Sequence, residues 1–213
     1  INKGKVLILI KTVVYLIRHS EPLKDYKIQN VALRGILLEN QRQPLSVNGE
    51  RMALNLAMRN DFMEIDGVWS SNYVKAVSTA KYFAYVNGLK VNIDEGFNER
   101  VHGVESWDEL SRTFEENQFN DENYKVGFGE SQAEVRERME RSLMDIVGKL
   151  RNRKIVIISH ETAMMFLLKK WCDIEWNGNY MYKGKVIFDG KWNYLEGFKL
   201  TIDGDKLIDI KKI

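Results

Sequence analysis

The chain has 213 residues, 44% of them hydrophobic and 29% charged, enough to bury one sizeable core and too little for two large domains. Lysine and arginine number 32 against 30 aspartates and glutamates, a formal net charge of +2, so no overall field directs the protein to nucleic acid or a membrane surface, and any anion preference must be local. The single cysteine, Cys172, excludes an internal disulfide and a paired-cysteine metal site, and is read as a buried thiol in a reducing cytoplasm.

Lys3 and Lys5 precede the apolar "VLILI" and "TVVYLI", but Lys11 interrupts the run. The stretch is too short to span a bilayer and no small-residue cleavage site follows before Arg18, so a secreted protein is not expected. Residues 1–10 are an extension of the first strand, a disordered tail, or residues upstream of the natural start.

Residues 12–17, "TVVYLI", are β-branched and aromatic, with the near-continuous apolarity of a strand covered on both faces. "PLSVNGERMALNLAMRN" is helical, with Ser46 as N-cap and Leu54, Ala57 and Met58 recurring on one face. A short strand, "GVWSS", precedes a helix over 73–87 that Asn87-Gly88 stops, and "KVNI" is another strand. From 131 a long helix opens on Ser131 and Glu134 in capping-box spacing and carries Val135, Met139, Leu143, Ile146 and Val147 as a stripe. "KIVIISH" is a second buried strand ending on histidine, and "TAMMFLLKKW" is a helix on the sheet. The tail carries an Asp203-Gly204 turn between alternating runs, a closing antiparallel hairpin. The polar, aromatic-spotted stretch at about 104–130 breaks the alternation and is expected to be a helical, lid-like insertion in a single domain spanning 1–213. The expected fold is α/β, a three-layer sandwich with a mostly parallel central sheet and helices on both faces. In such sheets ligands bind beyond the carboxyl ends of the strands.

Two of the three histidines, His19 and His160, end buried strands, and Arg18 precedes the first. Groups so costly to desolvate need a compensating ligand or a hydrogen-bonded structural role. Neither HExxH nor paired CxxC is present for zinc, and no GxSxG elbow is present for a serine hydrolase. A phosphoryl group fits, because a neutral imidazole can attack phosphorus while arginine presents a rigid fork to its oxygens.

"LIRHSEP" resembles the RHG motif of the histidine phosphatase superfamily, the phosphoglycerate mutase-like proteins, with Ser20 in place of glycine. In order, "PLSVNGERMA" resembles the PLTxxGxxQA helix, "VWSSNYVKAVSTA" the YSSPLxRAxQTA segment and "VIISHETA" the terminal SHGG segment, while "FNERVHG" falls where the family places its acidic residue. The resemblance implies that His19 is the nucleophile and that Arg18 and His160 bind phosphoryl oxygens. It also implies that Glu99 protonates the leaving oxygen and then assists water; outside the motif Glu99 would be a solvated carboxylate beside Arg100. Neighbouring cations would keep His19 neutral.

Three departures stand out. Lys75 replaces the second phosphate-binding arginine, supplying charge without a fork. Glu161 replaces a glycine directly after His160, and Ser78 replaces a helical glutamine. "NERVHG" is similar to the NERHYG segment of cofactor-dependent phosphoglycerate mutases, but "RHSEPLKDY" lacks their Trp-Asn, and 104–130 holds only Arg112 and Lys125 as cations. Trp107, Phe114, Phe119, Tyr124 and Phe128 either line a rim for the leaving group or pack into the core. The resemblance therefore implies a metal-independent phosphatase acting on a small-molecule phosphomonoester through a phosphohistidine, with no cofactor, nucleic-acid or membrane partner and no oligomeric state assigned. The alternatives are a phosphoglycerate mutase-type phosphotransferase and a weakly active or non-catalytic phospholigand-binding protein.

Overall fold

The computed structural model describes residues 11–28 and 35–213; the three readings of residues 1–10 lie outside these. The first strand, β1 (Thr12–Arg18), is followed by helices α1 (Ile36–Arg42) and α2 (Val47–Ala57), strand β2 (Gly67–Ser70), helix α3 (Val74–Val86) and strand β3 (Val91–Ile93). Then come α4 (Phe114–Asn120), the long α5 (Gln132–Lys149), β4 (Lys154–Ser159) and α6 (Glu161–Leu168). Strands β5 (Asp173–Ile174), β6 (Tyr180–Tyr182) and β7 (Lys185–Phe188) precede the closing pair β8 (Gly197–Asp203) and β9 (Lys206–Lys212).

The central sheet runs β3-β2-β4-β1-β8-β9. The first four strands are parallel, and β8 and β9 add an antiparallel edge. Alternation sorts the buried runs into two cores. Val14, Leu16, Ile155 and Ile157 face one way, onto Val135, Met139 and Leu143 of α5 and Phe166 and Leu167 of α6. Tyr15, Ile17, Val156 and Ile158 face the other, onto Ala57 of α2 and Ala76, Ala80 and Phe83 of α3. Two covered faces are why these strands are apolar at nearly every position. The chain is therefore a three-layer α/β sandwich around a mostly parallel sheet.

Ser131 and Glu134 close the expected capping box, with Ser131 N donating to Glu134 Oε2 at 2.8 Å and Glu134 N donating to Ser131 Oγ at 3.3 Å. Ser46 caps α2, its Oγ accepting from Gly49 N at 2.9 Å. The inward face of α2 matches the expected one only at Ala57. Gly49, Ala53 and Ala57 are buried, whereas Leu54 is half-buried and Met58 is 57% exposed; at Gly49 the helix meets the chain after β1, and Ala57 packs into the core beside Phe62 and Phe83. The hairpin tip also sits one residue later than expected, at Gly204-Asp205 between paired Asp203 and Lys206, with Gly204 at φ 63°. Residues 104–130 hold a 3-10 turn (Trp107–Glu109) and α4, with extended and irregular chain between. Their aromatics divide: Phe114 and Phe119 are buried, while Trp107 and Phe128 are exposed. Neither α1 nor the small antiparallel sheet β5-β6-β7 was legible as a periodic run.

Candidate active site

β1 and β4 pair in parallel with Arg18 opposite Ser159, so the next residue of each strand, His19 and His160, emerges at the same sheet edge. Their ring centroids are 5.2 Å apart. β2 ends beside them, and Ser71 N donates to Ile158 O at 3.1 Å.

His19 is 6% exposed. Its Nδ1 lies 2.7 Å from the carbonyl oxygen of Ser20, which can only accept, so Nδ1 carries the proton and the Nε2 lone pair is free. Burial pushes its pKa well below the ordinary histidine value, Lys75 and Arg18 add to this, and the bond to Ser20 works against it. Burial, rather than the neighbouring cations expected from the sequence, is thus the main cause of its neutrality. His160 is 1% exposed and depressed in the same direction, first by burial and then by His19, Lys75, Arg138 and Arg18. Its Nε2 lies 2.7 Å from Ser71 Oγ, which also accepts from Tyr73 N at 3.1 Å. The Tyr73 ring packs edge-on against His160 with centroids 4.7 Å apart.

Ser20 is fully buried, with its N donating to Thr79 Oγ1 at 2.9 Å and its Oγ donating to Gly49 O at 2.7 Å. The hydroxyl that replaces the usual glycine is satisfied and ties the His19 loop to α2 and α3. Glycine is required at position 49, because a Cβ there would sit 2.1 Å from Glu21 O.

Arg18 is not free. Its Nη1 lies 2.9 Å from Glu161 Oε2 and donates to Trp192 O at 3.3 Å, and its guanidinium stacks over Tyr194, 4.7 Å from the ring centroid. Its Nε is buried without a hydrogen-bond partner among the described residues. Glu161 therefore points onto the arginine rather than away from it. Lys75 is 6% exposed, and its Nζ donates to Asn40 Oδ1 and to Gln43 Oε1, the latter at 3.2 Å. Burial lowers its pKa to about 8, Glu99 opposing and Arg18 assisting.

Glu99 Oε1 accepts from Ala163 N at 3.0 Å and from Arg100 N at 2.9 Å, which anchors the carboxylate on the first turn of α6, just past His160. Its loop is held by Arg138 of α5, which donates to Gly96 O at 2.8 Å, Asn98 O at 2.9 Å and Glu99 O at 3.2 Å, and pairs with Glu130 at 2.7 Å. Ser71, Tyr73, Arg138, Asn40 and Gln43 are not among the site residues expected from the sequence. Ser71 and Tyr73 stand inside the "VWSSNYVKAVSTA" motif, whereas Arg138 looks like any charge on the polar face of a long helix. Among the described residues, no three His, Cys, Asp or Glu side chains come together to hold a metal ion, and no helix is long and apolar enough to cross a membrane.

A parallel sheet that brings two neutral histidines and an arginine to one edge, with a buried lysine supplied by α3, is the framework of a phosphoryl-transfer enzyme. The sequence profile of the histidine phosphatase superfamily (branch 1) matches residues 14–184, and the chain belongs to that superfamily. It is 31% identical over 162 residues, 73% of this chain and 72% of the relative, to a probable phosphoglycerate mutase, GpmB, of Yersinia enterocolitica. The fold matches a mycobacterial glucosyl-3-phosphoglycerate phosphatase at a TM-score of 0.65 with 18% identity, covering 95% of this chain and 96% of that one. A phosphoserine phosphatase mutant from Entamoeba histolytica, in complex with phosphoserine, matches at 0.63 with 18% identity, covering 94% and 96%. Bacillus stearothermophilus YhfR matches at 0.63 with 22% identity, covering 92% and 94%.

Proposed function

We propose that this protein hydrolyses a phosphomonoester through a phosphohistidine on His19, without a metal. The observation that carries the reading is the pair of buried, neutral imidazoles side by side at the ends of β1 and β4, one of them with Nδ1 committed to a carbonyl and Nε2 unprotonated. In the first step the Nε2–P bond forms as the P–O bond to the alcohol breaks, and Glu99 gives its proton to the leaving oxygen. In the second, Glu99 takes a proton from water, the water oxygen bonds to phosphorus and the N–P bond breaks, releasing inorganic phosphate. Arg18, Lys75 and His160 offset the charge on the equatorial oxygens. The orphaned Nε of Arg18 supports this role, since a buried donor without an acceptor costs roughly 1–3 kcal/mol and a phosphoryl oxygen would satisfy it.

Hydrolysis is preferred to mutase chemistry because the segment 104–130 offers few cations for a second phosphate. In 104–130, Lys125 pairs with Glu134 at 2.6 Å and Arg112 is exposed to solvent. The segment 104–130 is read as the rim of the site, since Glu115 on α4 lines a cavity with Glu161. A weakly active phospholigand-binding protein is the second reading, favoured by the hold of Glu161 on Arg18. Hydrolysis of an aryl phosphate in the presence of EDTA separates them. Turnover is expected, with loss in His19→Ala and a phosphorylated histidine in acid-sensitive mass spectra of quenched protein. Loss of activity on chelation, or an active His19→Ala, would sink the assignment.

A further inference from the structure

A cavity of about 360 Å³ opens beside Arg18, lined by Glu115, Glu161, Glu175, Trp176, Tyr180 and Trp192 among others. Two of its lining residues touch the arginine: Glu161 through its carboxylate and Trp192 through its carbonyl. We propose that this cavity receives the leaving group and selects phosphomonoesters whose alcohol bears a protonated or quaternary amine, with Glu161 passing from Arg18 to the amine when phosphate arrives. The proposal rests on the hydrolytic reading above.

Two guanidiniums face the three carboxylates: Arg18 on Glu161, and Arg100, which is paired with Glu115 and 4% exposed. The described partners of the Glu175 carboxylate are neutral, the N of Asn179 at 3.1 Å and its Nδ2 at 3.3 Å. A phosphoryl dianion that takes Arg18 leaves Glu161 without its partner, and among the described residues the remaining ion pair of the three carboxylates is then Arg100 on Glu115. Glu161 sits in surroundings that already disfavour its charge, burial raising its pKa, so a ligand cation answers a real deficit. An anionic leaving group would be repelled.

The remaining wall suits the same ligand. Trp192 Nε1 donates to Tyr180 Oη at 3.0 Å, and Tyr180 and Trp192 both pack against Phe188 and Phe198, with centroids 5.0 to 6.2 Å apart. These rings are fixed by the core and need no ordering on binding, and π-faces favour cations. Tyr180 on β6 and Phe188 on β7 bring the small sheet into this wall, Trp192 comes from the loop after β7, and Phe198 from β8.

The test compares kcat/KM for four esters: 4-nitrophenyl phosphate, 2-aminoethyl phosphate, its neutral analogue 2-hydroxyethyl phosphate, and 3-phosphoglycerate. The aminoethyl ester is expected to exceed the hydroxyethyl ester by about tenfold or more, with 3-phosphoglycerate the poorest of the alkyl esters. Glu175→Gln and Glu161→Gln should each bring the amine-to-hydroxyl ratio toward unity. Turnover of 4-nitrophenyl phosphate with equal rates for the two alkyl esters, or a ratio indifferent to both substitutions, overturns the pocket assignment alone. Absence of turnover on all four overturns it together with the hydrolytic reading.

Discussion

Lys75 occupies the place of a second phosphate-binding arginine; it is buried, its charge acts on both His19 and His160, and it donates to the amides of Asn40 on α1 and Gln43 at its end. Its pKa of about 8 means that the free protein loses this charge just above neutrality, whereas a guanidinium would keep it. For hydrolysis of an aryl phosphate, kcat/KM should therefore fall as pH rises through about 8. Lys75→Arg should abolish that alkaline limb, and kcat should be less affected because bound dianion holds the proton on the lysine. Identical alkaline limbs in the two proteins would argue that Lys75 does not meet the phosphate. Glu161 makes a second expectation. As an internal anion on Arg18 at 2.9 Å, it competes with phosphate, so Glu161→Gln should tighten inhibition by inorganic phosphate by roughly tenfold, the scale of one hydrogen-bonded charge pair. Unchanged inhibition would mean that the pair opens at no cost.

α2 and α5 hold the site from opposite sides of the sheet. The His19 loop crosses α2 closely at Gly49, where a Cβ would collide with the main chain of Glu21 rather than with a movable side-chain tip. Gly49→Ala should destabilise the fold by roughly 3 kcal/mol, at the upper end of overpacking costs, read from urea unfolding. A loss below 1 kcal/mol would show that the loop yields. On α5, Arg138 satisfies three carbonyls of the Glu99 loop and the Glu130 carboxylate, which makes it a positioning residue. Arg138→Met should lower kcat for an alkyl phosphate by about tenfold to a hundredfold, the effect of misplacing a catalytic group by an ångström or so. The loss should be smaller for 4-nitrophenyl phosphate, whose leaving group needs little protonation. Equal losses for both esters would point to a general structural defect instead.

The response of the fold to pH follows from all three histidines together. His19 and His160 are held well below the ordinary value of 6.5 and His102 is lowered to about 4, in each case chiefly by burial. The unfolded chain binds their protons below pH 6.5 and the folded chain does not. The stability they confer is thus complete above that pH and lost as pH falls, with a slope of up to about 4 kcal/mol per pH unit for three protons. Lys75 acts in the same sense at the other end: its depressed pKa makes stability rise from about pH 8 to 10.5. Urea midpoints at pH 7, 6 and 5 should fall steeply, and a His19→Gln/His160→Gln double variant should fall less. A double variant that loses stability with pH as steeply as the parent would refute the linkage.

What could be read from the chain alone was encoded locally or by order: the two apolar runs that demand burial on both faces, the Ser131 capping box, and four motifs whose succession names the superfamily. Those features depend on residues near one another in sequence, where periodicity and capping chemistry act. The meeting of His19 with His160 was inferable, since two buried strands ending on histidine in a parallel sheet must finish at one edge. Contacts between distant segments were decided only by the packing: Glu161 turned onto Arg18, Lys75 held by Asn40 of an unforeseen helix and Gln43 at its end, Arg138 gripping the Glu99 loop, and an aromatic wall gathered from the small sheet, the loop after it and β8. Each depends on where a side chain ends in space relative to elements far away along the chain, and desolvation, which governs the charges of these groups, exists only once those elements have closed around them.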